Sequence, residues 1–189
     1  MTSAAPERRY SFLEYVDLEA TSDTRFEFFD GVVYAMSGGS PEHSGLAANV
    51  IQLLGAQLVG KPCRVFTSDL RVRVLDTGLA AHPDVSVICG SLERDPEDPN
   101  TATNPVVVVE VLSPSTQRYD REEKAAHYRR IPSLQCYVLI SQEERRLEAF
   151  TRNLDGSWTL REARSGPVDL RPIACTLAVE DVYRNPLGE

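Results

Sequence analysis

The sequence predicts an α/β (α+β) fold, helices flanking a mixed β-sheet, and three observations predict it. Short runs of β-branched residues at 85–88 and 106–109, bounded by Pro, Gly, Asn and Ser, read as buried strands. Between such runs lie stretches with apolar residues at helical spacing behind capping residues, at 11–20 and 40–58. Beyond Pro132 the pattern becomes short strands separated by turn residues, an antiparallel series. A chain of 189 residues with 42% hydrophobic content is read as one domain, 1–189, able to bury a core.

The elements follow in order. Ser11 is placed to cap a helix carrying Phe12, Leu13, Val16 and Leu18. Asp30-Gly31, between FEFF and VVYAM, predicts a two-residue hairpin turn, which needs positive φ. Glu27 on its first arm reads, from spacing alone, as a solvated edge residue. Ser40 as cap, Pro41 at the first helical position and Glu42 at the positive dipole end predict a second helix. Its stripe is Leu46, Val50, Leu53, Leu54 and Leu58, with Gly60 to Pro62 as the stop. His43 in its first turn reads as an ordinary, partly exposed side chain. CRVFTSDLRVRVL is strand with a break at Ser68-Asp69, and SLERDPEDPNTATNP reads as a solvated acidic loop. Asp120 with Glu123 matches a capping box opening a third helix, which Pro132 stops near Ile131. Ala125, Tyr128 and Ile131 form its buried side, and Asp120, Lys124 and His127 share a face. Asp155-Gly156 marks a turn among the final strands.

Composition narrows the function. A net charge of −8 gives no overall attraction to nucleic acid or acidic membranes. Cys63, Cys89, Cys136 and Cys175 are scattered without a C-x-x-C pair and read as buried reduced thiols of a cytoplasmic protein. The first ten residues lack the apolar stretch of a signal peptide, and no apolar run approaches membrane-spanning length. There is no G-x-S-x-G, no Gly-rich phosphate loop and no H-E-x-x-H, and three histidines without cysteine partners argue against zinc.

Two acids remain, Asp84 in AHPDVSVICG and Glu110 in NPVVVVEVLSPST. A carboxylate in a covered strand is costly unless it is paired or holds a metal. Two on consecutive strands can meet as oxygen ligands for Mg²⁺ or Mn²⁺; hydrogen-bonded carboxylates at partly exposed strand ends are the equal alternative.

The segments HPDVSVI, VVEVLSPST and YDREEKAAHYRRIPSLQCYVLI, with RFEFFDGVVYAMSGGSPEHSGL and PCRVFTSDLRVRV upstream, resemble the family of putative restriction endonucleases of the Uma type. That family is placed in the PD-(D/E)XK nuclease-like superfamily, and the resemblance runs from about Arg25 to about Arg152. It implies a restriction-endonuclease-like core with Asp84 as metal-binding aspartate, Glu110 as second acid, and Glu27 at an acidic position of the first hairpin. The superfamily pattern has a lysine two residues after the second acid, on the same strand face. Here that position is Leu112. The resemblance makes Lys124, on the following helix, the replacement; a surface pair with Asp120, contributing ~0.3–0.5 kcal/mol, is its structural alternative.

The reaction so implied is metal-dependent hydrolysis of DNA phosphodiesters. Asp84, Glu110 and the Val111 carbonyl hold the ion, and Lys124 orients the attacking water or stabilises the phosphate oxygens. Glu27 serves the same chemistry or a second ion, with His43, Asp120 and Ser113 around the site or against the substrate. Cutting both strands of a duplex needs two sites, so a homodimer is expected. The rival reading is an inert nuclease-like fold kept as a binding or regulatory module, which the charge of −8 favours. Against it stands local basicity: Arg118, Arg121, Lys124, Arg129 and Arg130, which Arg64, Arg71 and Arg73 can extend.

Overall fold

The structure is a computed structural model that describes residues 8–36 and 38–184. Helix α1 (Phe12–Ala20) starts at Ser11, whose hydroxyl accepts from the Glu14 amide while the Glu14 carboxylate accepts from the Ser11 amide. Strands β1 (Phe26–Phe29) and β2 (Val32–Ala35) form the predicted hairpin, with φ of 47° at Asp30 and 78° at Gly31. Helix α2 (Pro41–Gln57) is capped by Ser40 and buries Leu46, Val50 and Leu54.

The next strands are β3 (Cys63–Thr67), β4 (Arg71–Arg73), β5 (Ala80–Ala81), β6 (Val85–Cys89), β7 (Thr101–Ala102) and β8 (Val107–Leu112). The break at Ser68-Asp69 sends β3 and β4 into different sheets. After β8 the chain winds as α3 (Gln117–Tyr119), a π turn (Asp120–Lys124) and α4 (Ala125–Tyr128). Asp120 thus lies inside the helical path at φ −63°, ψ −37°, not at the cap the sequence suggested. The opening turn belongs instead to Ser113, whose carbonyl accepts from the Gln117 amide. The chain closes with β9 (Cys136–Ser141), β10 (Leu147–Arg152), β11 (Trp158–Ala163), β12 (Pro167–Leu170), a 3-10 turn (Arg171–Ile173), β13 (Cys175–Ala178) and α5 (Val179–Val182).

The result is the mixed α+β architecture expected. A six-stranded sheet runs β11-β10-β9-β8-β6-β3, with β8 and β9 parallel and the other neighbours antiparallel. A five-stranded sheet runs β2-β1-β5-β4-β7, and β12 pairs with β13 apart. Residues of α2, α5, β12 and β13 cover one face of the larger sheet, around Val85, Val107, Val109 and Val138. Its other face packs Val108, Leu112, Tyr137 and Leu139 against Ala125 and Tyr128 of α4 and Val72 and Ala81 of the smaller sheet. Among the described residues, no helix is long and apolar enough to cross a membrane.

Three expectations are corrected. Cys63 and Cys89 are not reduced thiols: they lie opposite one another on β3 and β6 and are joined as a disulfide, while Cys136 and Cys175 are free and buried. Sheet register, not local spacing, makes that pair. The acidic loop is not simply solvated, since Asp95, Asp98 and Thr101 are buried. Arg71 and Arg73 do not extend a basic surface, because Glu19 and Asp98 take Arg71 while Asp95 and Glu97 take Arg73.

Candidate active site

Strand alternation sets the site. Val107, Val109 and Val111 of β8 point toward α2, so Val108, Glu110 and Leu112 point to the opposite face. Parallel pairing of β8 and β9 requires a crossover, and α3, the π turn and α4 supply it. That crossover lies over the Glu110 face. From the smaller sheet, β1 turns Phe28 toward α1, and alternation sends Glu27 and Phe29 toward the crossover.

Glu110 is 3% exposed. Its Oε1 accepts from the Tyr128 hydroxyl at 3.1 Å and lies 3.1 Å from Lys124 Nζ. Its Oε2 accepts from the Asp84 amide at 3.3 Å, while Asp84 Oδ2 accepts from the Val111 amide at 2.7 Å. Each acid is thus tied to the other strand's main chain. His43 Nε2 stands 3.3 Å from Asp84 Oδ2. A Cβ at Gly39 would fall 2.8 Å from the imidazole Nδ1, so the backbone approach that seats His43 suits glycine.

Lys124 is 4% exposed and ringed by carboxylates: Glu27 Oε1 at 2.6 Å, Glu110 Oε1 at 3.1 Å and Asp120 Oδ1 at 3.4 Å. Burial pushes the Glu110 carboxyl up to about 8, with Asp84, Asp120 and Glu27 adding to the rise and Lys124 opposing it. Burial also raises Asp120. Burial would lower Lys124, but the surrounding carboxylates hold its ammonium well above the usual lysine range. His43 is raised, first by its hydrogen bond to Asp84.

Of the residues singled out from the sequence, Asp84, Glu110, Val111, Lys124, Glu27, Asp120 and His43 come together here. Ser113 does not: its hydroxyl contacts those of Ser115 and Thr116 at the start of the crossover. Glu27 is buried at 7% exposure rather than solvated, and the Lys124–Asp120 pair is buried rather than superficial. Leu112 packs in the core beside Ala125 and Tyr128, so Lys124 reaches the acids from the helix above it. The sequence read Tyr128 as buried, as it is, but gave it, Tyr137 and Tyr119 no part in the site. Tyr128 had a signal, since it follows Lys124 by four. Tyr119, a partner of Glu27, and Tyr137, on the far side of the crossover, had none.

Among the described residues, no group of three or more His, Cys, Asp or Glu is arranged to hold a metal ion. The donor set is sparser: two carboxylates fixed side by side, with the Val111 main chain between them. Mg²⁺ accepts such a set, since it takes one or two carboxylates and fills its sphere with water and phosphate. Burial is the main cause of the Glu110 rise, and a cation beside it would act in the direction Lys124 does, downward.

The profile of the Uma2 family, described as "Putative restriction endonuclease", matches residues 12–180. The uncharacterized protein slr1290 of Synechocystis sp. is 37% identical over 182 residues, covering 96% of this chain and 95% of that one. A second uncharacterized Synechocystis protein, sll1609, is 32% identical over 149 residues, covering 79% and 84%. The crystal structure of a putative nuclease belonging to DUF820 from Anabaena variabilis superposes with a TM-score of 0.75 at 18% identity, covering 92% of this chain and 97% of that one. That likeness shows the fold. The profile match and the identity to slr1290 place this chain in the Uma2 family of putative restriction endonucleases.

Proposed function

We propose that the protein is a cation-dependent nuclease that hydrolyses DNA phosphodiester bonds, with Asp84 and Glu110 as its metal-binding acids and Lys124 as its catalytic cation. The observation that carries this reading is the buried Lys124 ammonium held among Glu27, Glu110 and Asp120, with Asp84 tied to Glu110 through the backbone. Asp84, Glu110 and the Val111 carbonyl would hold Mg²⁺ or Mn²⁺. When bound, that ion supplies Lewis acidity and neutralises charge on the phosphate.

The side chains then divide the work. Lys124 presents a charged donor to the phosphate oxygens or to the attacking water. Glu27 and Asp120 hold that ammonium in place from two sides. His43 holds Asp84 from the α2 side. Arg118, Arg121 and Arg130 are each paired, with Glu122, Glu148 and Asp76. Substrate affinity therefore depends strongly on the cation. Cleavage of both strands of a duplex calls for a homodimer.

The test is cleavage of duplex, single-stranded and structured DNA with Mg²⁺ or Mn²⁺ against EDTA, beside Asp84→Asn and Lys124→Met. Cleavage that needs the ion and is lost in both variants supports the reading. Cleavage by the variants at the wild-type rate, or no cleavage of any substrate with either ion, overturns it. Sedimentation at micromolar concentration checks the dimer.

A further inference from the structure

Lys124 reaches the acids through a turn of unusual width. On an α-helix, residues four apart advance by about 40° around the axis, so 120, 124 and 128 would drift by roughly 80°. The π turn over Asp120–Lys124 places an additional residue in that turn and winds the drift back. Lys124 and Tyr128 therefore meet the same Glu110 oxygen, Oε1, each at 3.1 Å, and Asp120 meets Lys124 at 3.4 Å.

A widened turn disturbs the usual pairing of main-chain carbonyls, and a buried carbonyl needs a donor. Tyr137 provides one. It lies on β9, beside Val108 of β8, with its ring packed 5.6 Å from that of Tyr128 and 6.5 Å from Phe150. Its hydroxyl, fully buried, donates to the Asp120 carbonyl at 2.9 Å. The strand that follows the crossover thus pins the first residue of the π turn.

We propose that Tyr137 is a positioning residue: its hydroxyl, through the Asp120 carbonyl, holds the π turn that sets Lys124 against Glu110. Tyr137 acts through the Asp120 main chain, not through a hydrogen bond to a carboxylate or to Lys124. The activity part of the inference rests on the nuclease reading; the positioning part does not.

The sequence offers a direct probe, because Lys61 and Lys124 are its only lysines. In protein labelled with ¹⁵N at the lysine Nζ, Lys124 gives one resolved signal and Lys61, which contacts the Ile173 and Ala174 carbonyls, serves as internal control. Tyr137→Phe removes the hydroxyl and keeps the ring. It is expected to move the Lys124 signal and leave Lys61 unchanged, and to lower kcat for DNA cleavage on the order of 10²-fold with KM nearly constant. A Lys124 signal identical to wild type overturns the proposal, whatever happens to the melting temperature. If the wild-type protein cleaves nothing but the Lys124 signal still moves, the positioning role stands and the nuclease reading falls. Should the Tyr137→Phe chain fail to fold, 3-fluorotyrosine at position 137 keeps the ring and makes its hydroxyl a stronger donor to the Asp120 carbonyl. A moved Lys124 signal with an unchanged Lys61 signal then supports the proposal, and an unmoved Lys124 signal overturns it.

Discussion

Among the described residues, Arg71 and Lys124 are each buried among carboxylates, and the two sites behave in opposite ways. Around Arg71, Asp98 Oδ2 stands at 2.7 Å, Glu19 pairs with the guanidinium, and His82 Nε2 lies 3.0 Å from Glu19. Burial would raise Glu19, but hydrogen bonds from His82 and Arg71 outweigh it and hold the carboxyl down at about 2. Around Lys124, one ammonium faces Glu27, Glu110 and Asp120, with Asp84 just beyond, and Glu110 is driven up to about 8. The first cluster is satisfied by its own charges. In the second, burial of Glu110 outweighs the single ammonium beside it. Buried, strongly raised carboxyls occur at functional sites and in structural ion networks alike. A small concavity lined by Val16, Glu19, Asp98 and Asn100 adjoins Arg71, but its charged groups already have their partners.

The largest expected effect tests whether both clusters are closed ion networks. Lys124→Ala and Arg71→Ala should each cost about 3–5 kcal/mol in urea unfolding at pH 7, because each strands buried carboxylates. The contrast is in the rescue. Millimolar Mg²⁺ should recover part of the Lys124→Ala loss, and should stabilise Arg71→Ala no more than it stabilises wild type. Equal rescue of both would erase the distinction.

The pH dependence of stability, measured as melting temperature in EDTA, separates the clusters next. Glu19 is depressed when folded, so its contribution is present above its ordinary value of 4.5 and is lost as pH falls toward about 2. Glu110 is raised when folded, so stability declines as pH climbs from 4.5 through about 8, where the folded carboxyl finally ionises. Glu19→Gln should flatten the acid limb alone and Glu110→Gln the alkaline limb alone.

Ligand linkage gives a smaller effect. At ten times its Kd, Mg²⁺ should stabilise the wild type by about 1.4 kcal/mol, and Asp84→Asn should abolish this gain in a thermal-shift titration. Smallest is the surface control: Arg118 and Glu122 form an exposed pair four residues apart, and Arg118→Ala should cost ~0.3–0.5 kcal/mol by urea unfolding.

Much of this was legible in the sequence because it depends on local rules. Ser11, Ser40, Asp30-Gly31 and the valine runs act over a few residues, and each formed the element it predicted. Glu110 stood out as an acid within a valine run, and Lys124 through the family pattern with Leu112 in place of its lysine. What stayed hidden depends on register and on sheet-to-sheet packing. Glu27 between two phenylalanines gives no sign of which face is covered, and nothing near Cys63 or Cys89 says that their strands pair. The π turn was misread as a helix start, because Asp120 and Glu123 satisfy the capping pattern while Tyr137, which anchors that turn, lies beyond Pro132.

The contact between Glu27 and Lys124 also bears on how the chain assembles. It joins the first hairpin to the crossover, two segments far apart in sequence and belonging to different sheets. Contacts between distant segments are slow to form, since the loop-closure entropy must be met before they repay it. The crossover and its parallel strands can dock on one another before the hairpin arrives, leaving Lys124 with Glu110 and Asp120 but open to solvent on the Glu27 side. Arrival of the hairpin seals that side. Any state with the hairpin undocked therefore keeps Glu110 and Asp120 beside Lys124 but leaves the lysine unenclosed.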